Sequence, residues 1–466
     1  MERNDLTQPT LTGVSSDSKR VRSALRRFGT SLARLAPAGT FRRDAATLSL
    51  GTLLGQAVPV VALPVISRLY SPEDYGVLAA YSAILGFIGV VANLRFDEAV
   101  PLPSDRAIAL SVLVAGLAST LLVTALSAVT LLPYADRVAN WAGAPQLEGL
   151  MWLVPLGVLI IGVYGVLSRW TIRLNQFGLL SRTKVAQGIG SAVTQVGLGM
   201  ARAGAVGLIL GTVVGQGVGS SWLARAGFER ADLARSRAGG VRAIWKAALR
   251  YKKFPLVSTW GALLNAVSTA LPPLLISSLH GSQVAGWFGM TVRIAGAPTA
   301  LVGGAVAMVY FGRGATIASS SPEQFMALFK SATKKMALAG LVVFLPLGAA
   351  APWLLPLVLG QRWGPAGLYT AVLTPMYYAA FVSSTLGFTL AIAERQGLFV
   401  LREVVRSALM ASFYLLARFL ALSPLATVCL LSVTGCLGYG VYYLVSRHAV
   451  RQFSDAHGKC QRHSTE

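Results

Sequence analysis

The strongest constraint on this chain is a succession of apolar runs, each long enough to cross a bilayer as a helix. A spanning helix needs about 20 mostly apolar residues, and such runs lie near 44–68, 77–95, 107–132, 147–168, 178–200, 204–224, 254–279, 284–312, 336–359, 366–392, 397–420 and 424–446. The chain is 54% hydrophobic and only 13% charged, whereas charged residues make up roughly a quarter of a soluble domain. The expected fold class is therefore an all-α polytopic membrane protein with twelve transmembrane helices. The fifth and sixth runs are Gly-rich and almost touch. The stretch before residue 44 lacks the apolar core of a cleavable signal.

Basic residues set the expected orientation. The chain has 41 Lys+Arg against 18 Asp+Glu, but the cations sit between apolar runs and form no continuous nucleic-acid patch. Twelve spans put both termini on one side. On that side fall 35 of the cations, including Arg395, Arg402 and Arg406, assigned here to the tenth connection. The odd-numbered connections hold Arg68, Arg137, Arg202, Arg362 and Arg418, and Arg293 alone is placed inside a span. Positive charge accumulates on the cytoplasmic side, so both termini are expected there, in a multi-pass membrane protein. In the first tail, "SKRVRSALRRFGTSLARLA" alternates apolar and basic faces at helical spacing, as a surface helix on an anionic leaflet or a disordered basic tail would. Cys429, Cys436 and Cys460 form no disulfide framework, and "HGKCQRH" near the end is read as a chance spacing, not a metal site.

An internal repeat organises the chain. Offset by 210 residues, 51–86 aligns without gaps onto 261–296 with nine identities, among them Gly51/Gly261, Ile66/Ile276, Ser67/Ser277, Gly76/Gly286 and Gly86/Gly296. "ISRLYSPEDYG" and "ISSLHGSQVAG" fall at equivalent corners. Six helices separate the copies, so two six-helix lobes related by a pseudo-two-fold axis along the membrane normal are expected. The divisions are a basic tail (1–43), a first lobe (44–225), a basic linker (226–253), a second lobe (254–446) and a C-terminal tail (447–466). Pro59 and Pro64 in helix 1 answer Pro272 and Pro273 in helix 7. Such bends free backbone carbonyls, which a bilayer tolerates only beside protein or a wet cavity.

The polar groups inside the spans are the candidate site. Arg293 sits in "VAGWFGMTVRIAGAPTALVGGAVAMVYFG", about 14 Å from the start of helix 8. A guanidinium at mid-membrane costs about 3 kcal/mol on insertion scales. Two readings are open: it faces a hydrated cavity and meets a transient phosphate or carboxylate, or it bonds carbonyls freed by Pro298. Gln56, Asn265, Gln195 and Gln216, with Gln187, offer amides for a sugar path or for ties between helices. After helix 2, "NLRFDEAVPLP" sets Arg95 beside Asp97 and Glu98, a gate ion-pair network or a solvated helix end. Glu394 and Glu403 are read as lying near the ends of helices 10 and 11. No phosphate-binding loop, nucleophile motif or metal site stands out, so no enzyme activity and no cofactor are expected.

These segments resemble the Wzx-type polysaccharide flippases, in the polysaccharide-transporter branch of the multidrug/oligosaccharidyl-lipid/polysaccharide exporter superfamily. The likeness is carried by "ISRLYSPEDYGVLAAY", "LRFDEAVPLP", "YKKFPLVSTWGALLNAVSTALPPLLIS" and "GQRWGPAGLYTAVLTPMYYAAFVSSTLGFTLAIAERQ". It implies translocation of an undecaprenyl-diphosphate-linked oligosaccharide by alternating access, for surface polysaccharides such as lipopolysaccharide or exopolysaccharide. It further implies a cationic cavity in which Arg293 holds pyrophosphate or an acidic sugar, and proton-coupled antiport, for which only Asp97 and Glu98 offer carboxylates. The partners it implies are the lipid-linked substrate and membrane lipids, with room for a polysaccharide polymerase and a chain-length regulator, and no nucleic acid. Alternatives are a drug/cation exporter of the same superfamily, which ordinarily holds its cation with an acidic residue, and a membrane-embedded glycan polymerase or ligase. A lipid-linked peptidoglycan precursor flippase usually adds two helices.

Overall fold

The computed structural model describes residues 40–227, 230–321, 324–393 and 395–463. Among them the chain is helical throughout, with no strand. The first lobe holds α1 (Thr40–Val61), α2 (Leu63–Leu69), α3 (Pro72–Gly89), α4 (Phe96–Ala99), α5 (Arg106–Leu131), α6 (Ala135–Trp141), α7 (Leu153–Arg173), α8 (Phe177–Met200), α9 (Ala205–Gly217) and α10 (Ser220–Gly227). A connecting segment, α11 (Arg230–Arg250), helical on either side of a kink at Gly240 (φ 58°), leads to the second lobe: α12 (Thr259–Pro298), α13 (Gly304–Ser320), α14 (Phe325–Leu359), α15 (Gly364–Ser384), α16 (Thr389–Ile392), α17 (Gln396–Phe419) and α18 (Pro424–His463). The expected surface helix of the first tail lies outside the described residues, as do the side chains of His457, Cys460 and His463.

Each expected run falls on helix, and among the described residues seven helical segments are long and apolar enough to span a membrane. These are the first, third, fourth, sixth, ninth, tenth and twelfth runs. The other five include α3 and both halves of α12, which line the space between the lobes, and α8 and α17, which carry charged residues inside their apolar runs. Outward faces are apolar, as lipid contact requires: Leu121, Leu122, Leu126 and Val129 are exposed on α5, and Leu338, Leu341, Val342 and Leu345 on α14. The chain is a multi-pass membrane protein.

The two equivalent corners are built differently. Before α3 a capping box operates: Ser71 Oγ accepts from the Asp74 amide (3.1 Å), and Asp74 Oδ2 accepts from the Ser71 amide (2.9 Å). Pro72 stands in the first helical turn, where its missing N–H costs nothing. At the repeat position of Ser71 is Gly281, at φ 82°, which makes the same corner within α12 by a backbone state that disfavours a side chain.

The lobes meet chiefly where α3 runs along α12. At the Pro72 end of α3 they are locked together. Trp363 Nε1 donates to the Ser67 carbonyl (2.9 Å), Ser67 Oγ donates to the Leu359 carbonyl (3.1 Å), and Arg362 Nη2 donates to the Arg68 carbonyl (3.1 Å). The reciprocal corner, Ser277, is met by the first lobe at Gly143, where a Cβ would lie 1.9 Å from the Ser277 carbonyl oxygen. Each lobe thus places the connection after its third long helix on the other lobe's first corner, the self-complementary pattern a two-fold axis produces.

Candidate functional site

Beyond that locked end the lobes separate around a cavity of about 360 Å³. Its walls are α3, from Tyr75 through Ser82 to Val90, and α12, at Asn265, Pro273, Gly289 and Arg293. The stretch from Tyr75 to Val90 is about 22 Å of helix, so the crevice follows α3 for most of its length. Tyr75, at the locked end, is buried, whereas Ser82, Gly86 and Asn265 are exposed. The crevice therefore opens away from the lock.

Arg293 lies in this cavity, and its Cζ stands 5.4 Å from the centre of the Tyr75 ring in the opposite lobe. Tyr75 packs edge-on against Trp363 at 5.1 Å. The cation thus rests on an aromatic pair at the cavity's closed end, a contact worth about 0.5–2 kcal/mol depending on desolvation. Among the described residues no carboxylate lies within ion-pair distance of it. A guanidinium that is half-buried, resting on a ring and with no counter-ion there, leaves its donors to water or a transient anion.

Asn265 also lines the cavity, and Arg406 Nη2 donates to its Oδ1 at 3.1 Å. Behind it stands a charge cluster on α17. Arg402 donates from Nε (3.1 Å) and Nη2 (2.8 Å) to Glu403 Oε1, and Arg406 Nη2 lies 3.1 Å from Glu403 Oε2. The Arg402 and Glu403 side chains are each only 7% exposed. The Phe399 ring (4.6 Å) and the Tyr442 ring (4.1 Å) flank the Arg402 guanidinium. This corrects the sequence assignment of Arg402 and Arg406 to the tenth connection: both lie inside α17 with Glu403, which sits about two turns from its start, and two arginines and one carboxylate leave a net positive charge. The signal was present in "FVLREVVRSALM", because residues three and four apart share one helix face, but an apolar-run scan reads past it. Glu394 lies outside the described residues.

The remaining candidates sit away from the cavity walls. Gln195 is 2% exposed and ties α8 to α9: its Nε2 donates to the Leu208 carbonyl (3.3 Å) and to Thr212 Oγ1 (3.4 Å), while its main-chain carbonyl accepts from the Tyr70 hydroxyl (2.6 Å). The Gln216 carbonyl accepts from Gln187 Nε2 at 2.9 Å, again between α8 and α9. Gln56 is exposed on α1 and does not line the cavity. Arg95 pairs with Glu98, and Arg169 Nε lies 3.6 Å from Asp97 Oδ2, so this ion network closes within the first lobe. Lys184, counted in a connection from the sequence, sits on α8 with its ammonium 4.7 Å from the Tyr164 ring centre.

This all-α, two-lobed architecture around a central crevice is the fold of the multidrug/oligosaccharidyl-lipid/polysaccharide transporter superfamily. An inward-facing multidrug-resistance transporter of the MATE family in that superfamily superposes with TM-score 0.72 at 16% identity, over 86% of this chain and 96% of its own. The lipid II flippase MurJ, in an inward closed conformation, gives TM-score 0.65 at 11% identity over 87% and 89%. A superfamily transporter from Pyrococcus furiosus, described as having a binding pocket of reverse polarity that suggests a different function, gives 0.54 at 16% over 91% and 98%. No curated protein is detectably similar in sequence. The chain belongs to the polysaccharide biosynthesis protein family, whose sequence profile matches residues 65–367.

Proposed function

We propose that this protein is a flippase that carries an undecaprenyl-diphosphate-linked oligosaccharide from the cytoplasmic to the periplasmic leaflet of a bacterial inner membrane by alternating access. The carrying observation is Arg293, a cation without a described counter-ion in a crevice between two lobes. A diphosphate presents oxygens that a planar guanidinium binds in pairs, and the cost of holding a guanidinium within the membrane favours a ligand of opposite charge. In this reading the lobes span 44–225 and 254–446 and are joined by the basic linker 226–253. With both termini cytoplasmic, as the distribution of Lys and Arg favours, the lock at Ser67, Trp363 and Gly143 is periplasmic. The crevice then opens to the cytoplasm, the state that receives substrate. Asn265 contributes an amide to the pathway, with Arg406 behind it. A cation exporter fits this crevice less well, because its deep charged group is positive.

The test compares Arg293→Ala with Arg293→Lys in a surface-glycan assay at matched protein level. Alanine is expected to abolish export and lysine, which keeps the charge without the fork, to retain part of it. Normal glycan with alanine would remove this residue, and with it the proposed site.

A further inference from the structure

The helix joining the lobes carries a second, unassigned surface. In α11, Val241, Trp245 and Leu249 recur every four residues and are 82%, 66% and 50% exposed. Advancing about 100° per residue, they form one stripe, and Arg242, Lys246 and Arg250 form the adjoining one. All three cations are exposed, and none pairs with a described carboxylate. The opposite face is occupied: Ala247 is buried in a cluster with Ala109, Leu110, Val112 and Leu113 at the Arg106 end of α5. The helix is therefore docked on the first lobe by one face and presents an apolar stripe edged with positive charge on the other.

That stripe is continuous with the lipid-facing surface. Two residues beyond Arg250, Lys252 and Lys253 are exposed, and then Leu256, Val257 and Trp260 are exposed where the chain enters α12. A helix with a tryptophan among its outward apolar residues, flanked by Lys and Arg and leading into a spanning helix, matches the headgroup boundary, where apolar side chains enter the acyl layer and cations meet phosphate. Five cations within residues 242–253, at exposed positions, specify an anionic surface over a zwitterionic one.

We propose that residues 241–253 form an interfacial helix that binds the anionic phospholipids of the leaflet at the Arg106 end of α5, anchoring the connection between the lobes. This does not depend on the transported substrate. The test uses the full chain with Cys429, Cys436 and Cys460 replaced and a single Val241→Cys bearing an environment-sensitive fluorophore, reconstituted in phosphatidylcholine vesicles with or without about 30 mol % phosphatidylglycerol. Expected is at least about threefold stronger quenching by a lipid-borne quencher in the anionic vesicles, lost in high salt and in the Arg242→Gln/Lys246→Gln/Arg250→Gln variant. These are exposed positions, so the variant is expected to fold, and a probe at Leu249→Cys repeats the measurement independently. Equal quenching in both vesicles would reduce the segment to apolar contact without headgroup selection. Quenching only by an aqueous reagent, at both positions, would point to a soluble partner and overturn the proposal.

Discussion

Gly76 and Gly286, equivalent positions of the internal repeat, press against each other's helices across the interface between the lobes. A Cβ on Gly76 would lie 1.8 Å from the Ser282 carbonyl oxygen, and one on Gly286 would lie 1.8 Å from that of Pro72. Pro72 and Ser282 are themselves equivalent under the same offset. The contact is therefore reciprocal about the pseudo-two-fold axis, and it allows the closest approach of α3 and α12 at the locked end. Backbone atoms cannot move aside as a flexible side chain can, so only glycine fits both positions in this state.

Gly286→Leu should prevent closure at this end while leaving each lobe intact. The expected result is loss of export at normal protein level, with a cysteine at Ser282 reacting faster with a membrane-impermeant thiol reagent than in the otherwise unchanged protein. Unaltered reactivity together with normal export would show that the contact is dispensable.

Tyr75→Phe should preserve function, because the ring under Arg293 remains and the hydroxyl has no hydrogen-bond partner among the described residues. Tyr75→Leu removes the ring and about 0.5–2 kcal/mol of cation–π attraction. Export by the leucine variant is expected to fall several-fold, and the comparison of the two at equal abundance separates ring from hydroxyl.

Glu403→Gln leaves the buried Arg402 without its counter-charge. Breaking such a pair from one side costs roughly 3–5 kcal/mol, so thermal unfolding in detergent should shift down markedly. Replacing Arg402 and Glu403 together by methionine should recover much of the loss. A single and double variant of equal, wild-type stability would contradict the buried pairing.

Gln195→Leu should lower thermal stability, since it removes two hydrogen bonds from the amide between α8 and α9. Export per folded molecule should stay within about twofold, because truncation at a site buried 98% away from the crevice removes no ligand contact. A selective loss of export with unchanged stability would return this residue to the substrate pathway.

Trp363→Phe keeps an aromatic ring beside Tyr75 but removes the donor to the Ser67 carbonyl. The lock should weaken by about 1 kcal/mol, measurable as faster thiol labelling at the same Ser282 cysteine and not as a loss of folded protein.

The all-α class, the number and order of apolar runs, the repeat and the corner at Ser71 were legible in the sequence, because hydropathy, periodicity and capping are sums over neighbours along the chain. The presence of Arg293 within a span was equally legible. Its surroundings were not: that it rests on Tyr75, and that Asn265 joins it at the crevice while Gln195 ties two helices together, depends on how helices rotate about their axes when they pack. The same limit hid the Arg402, Glu403 and Arg406 cluster, whose partner Asn265 lies 141 residues away. A helix buries or exposes a polar group according to which neighbour covers that face, so sequence determined which residues enter the membrane, and tertiary packing decided which of them meet water, lipid or one another.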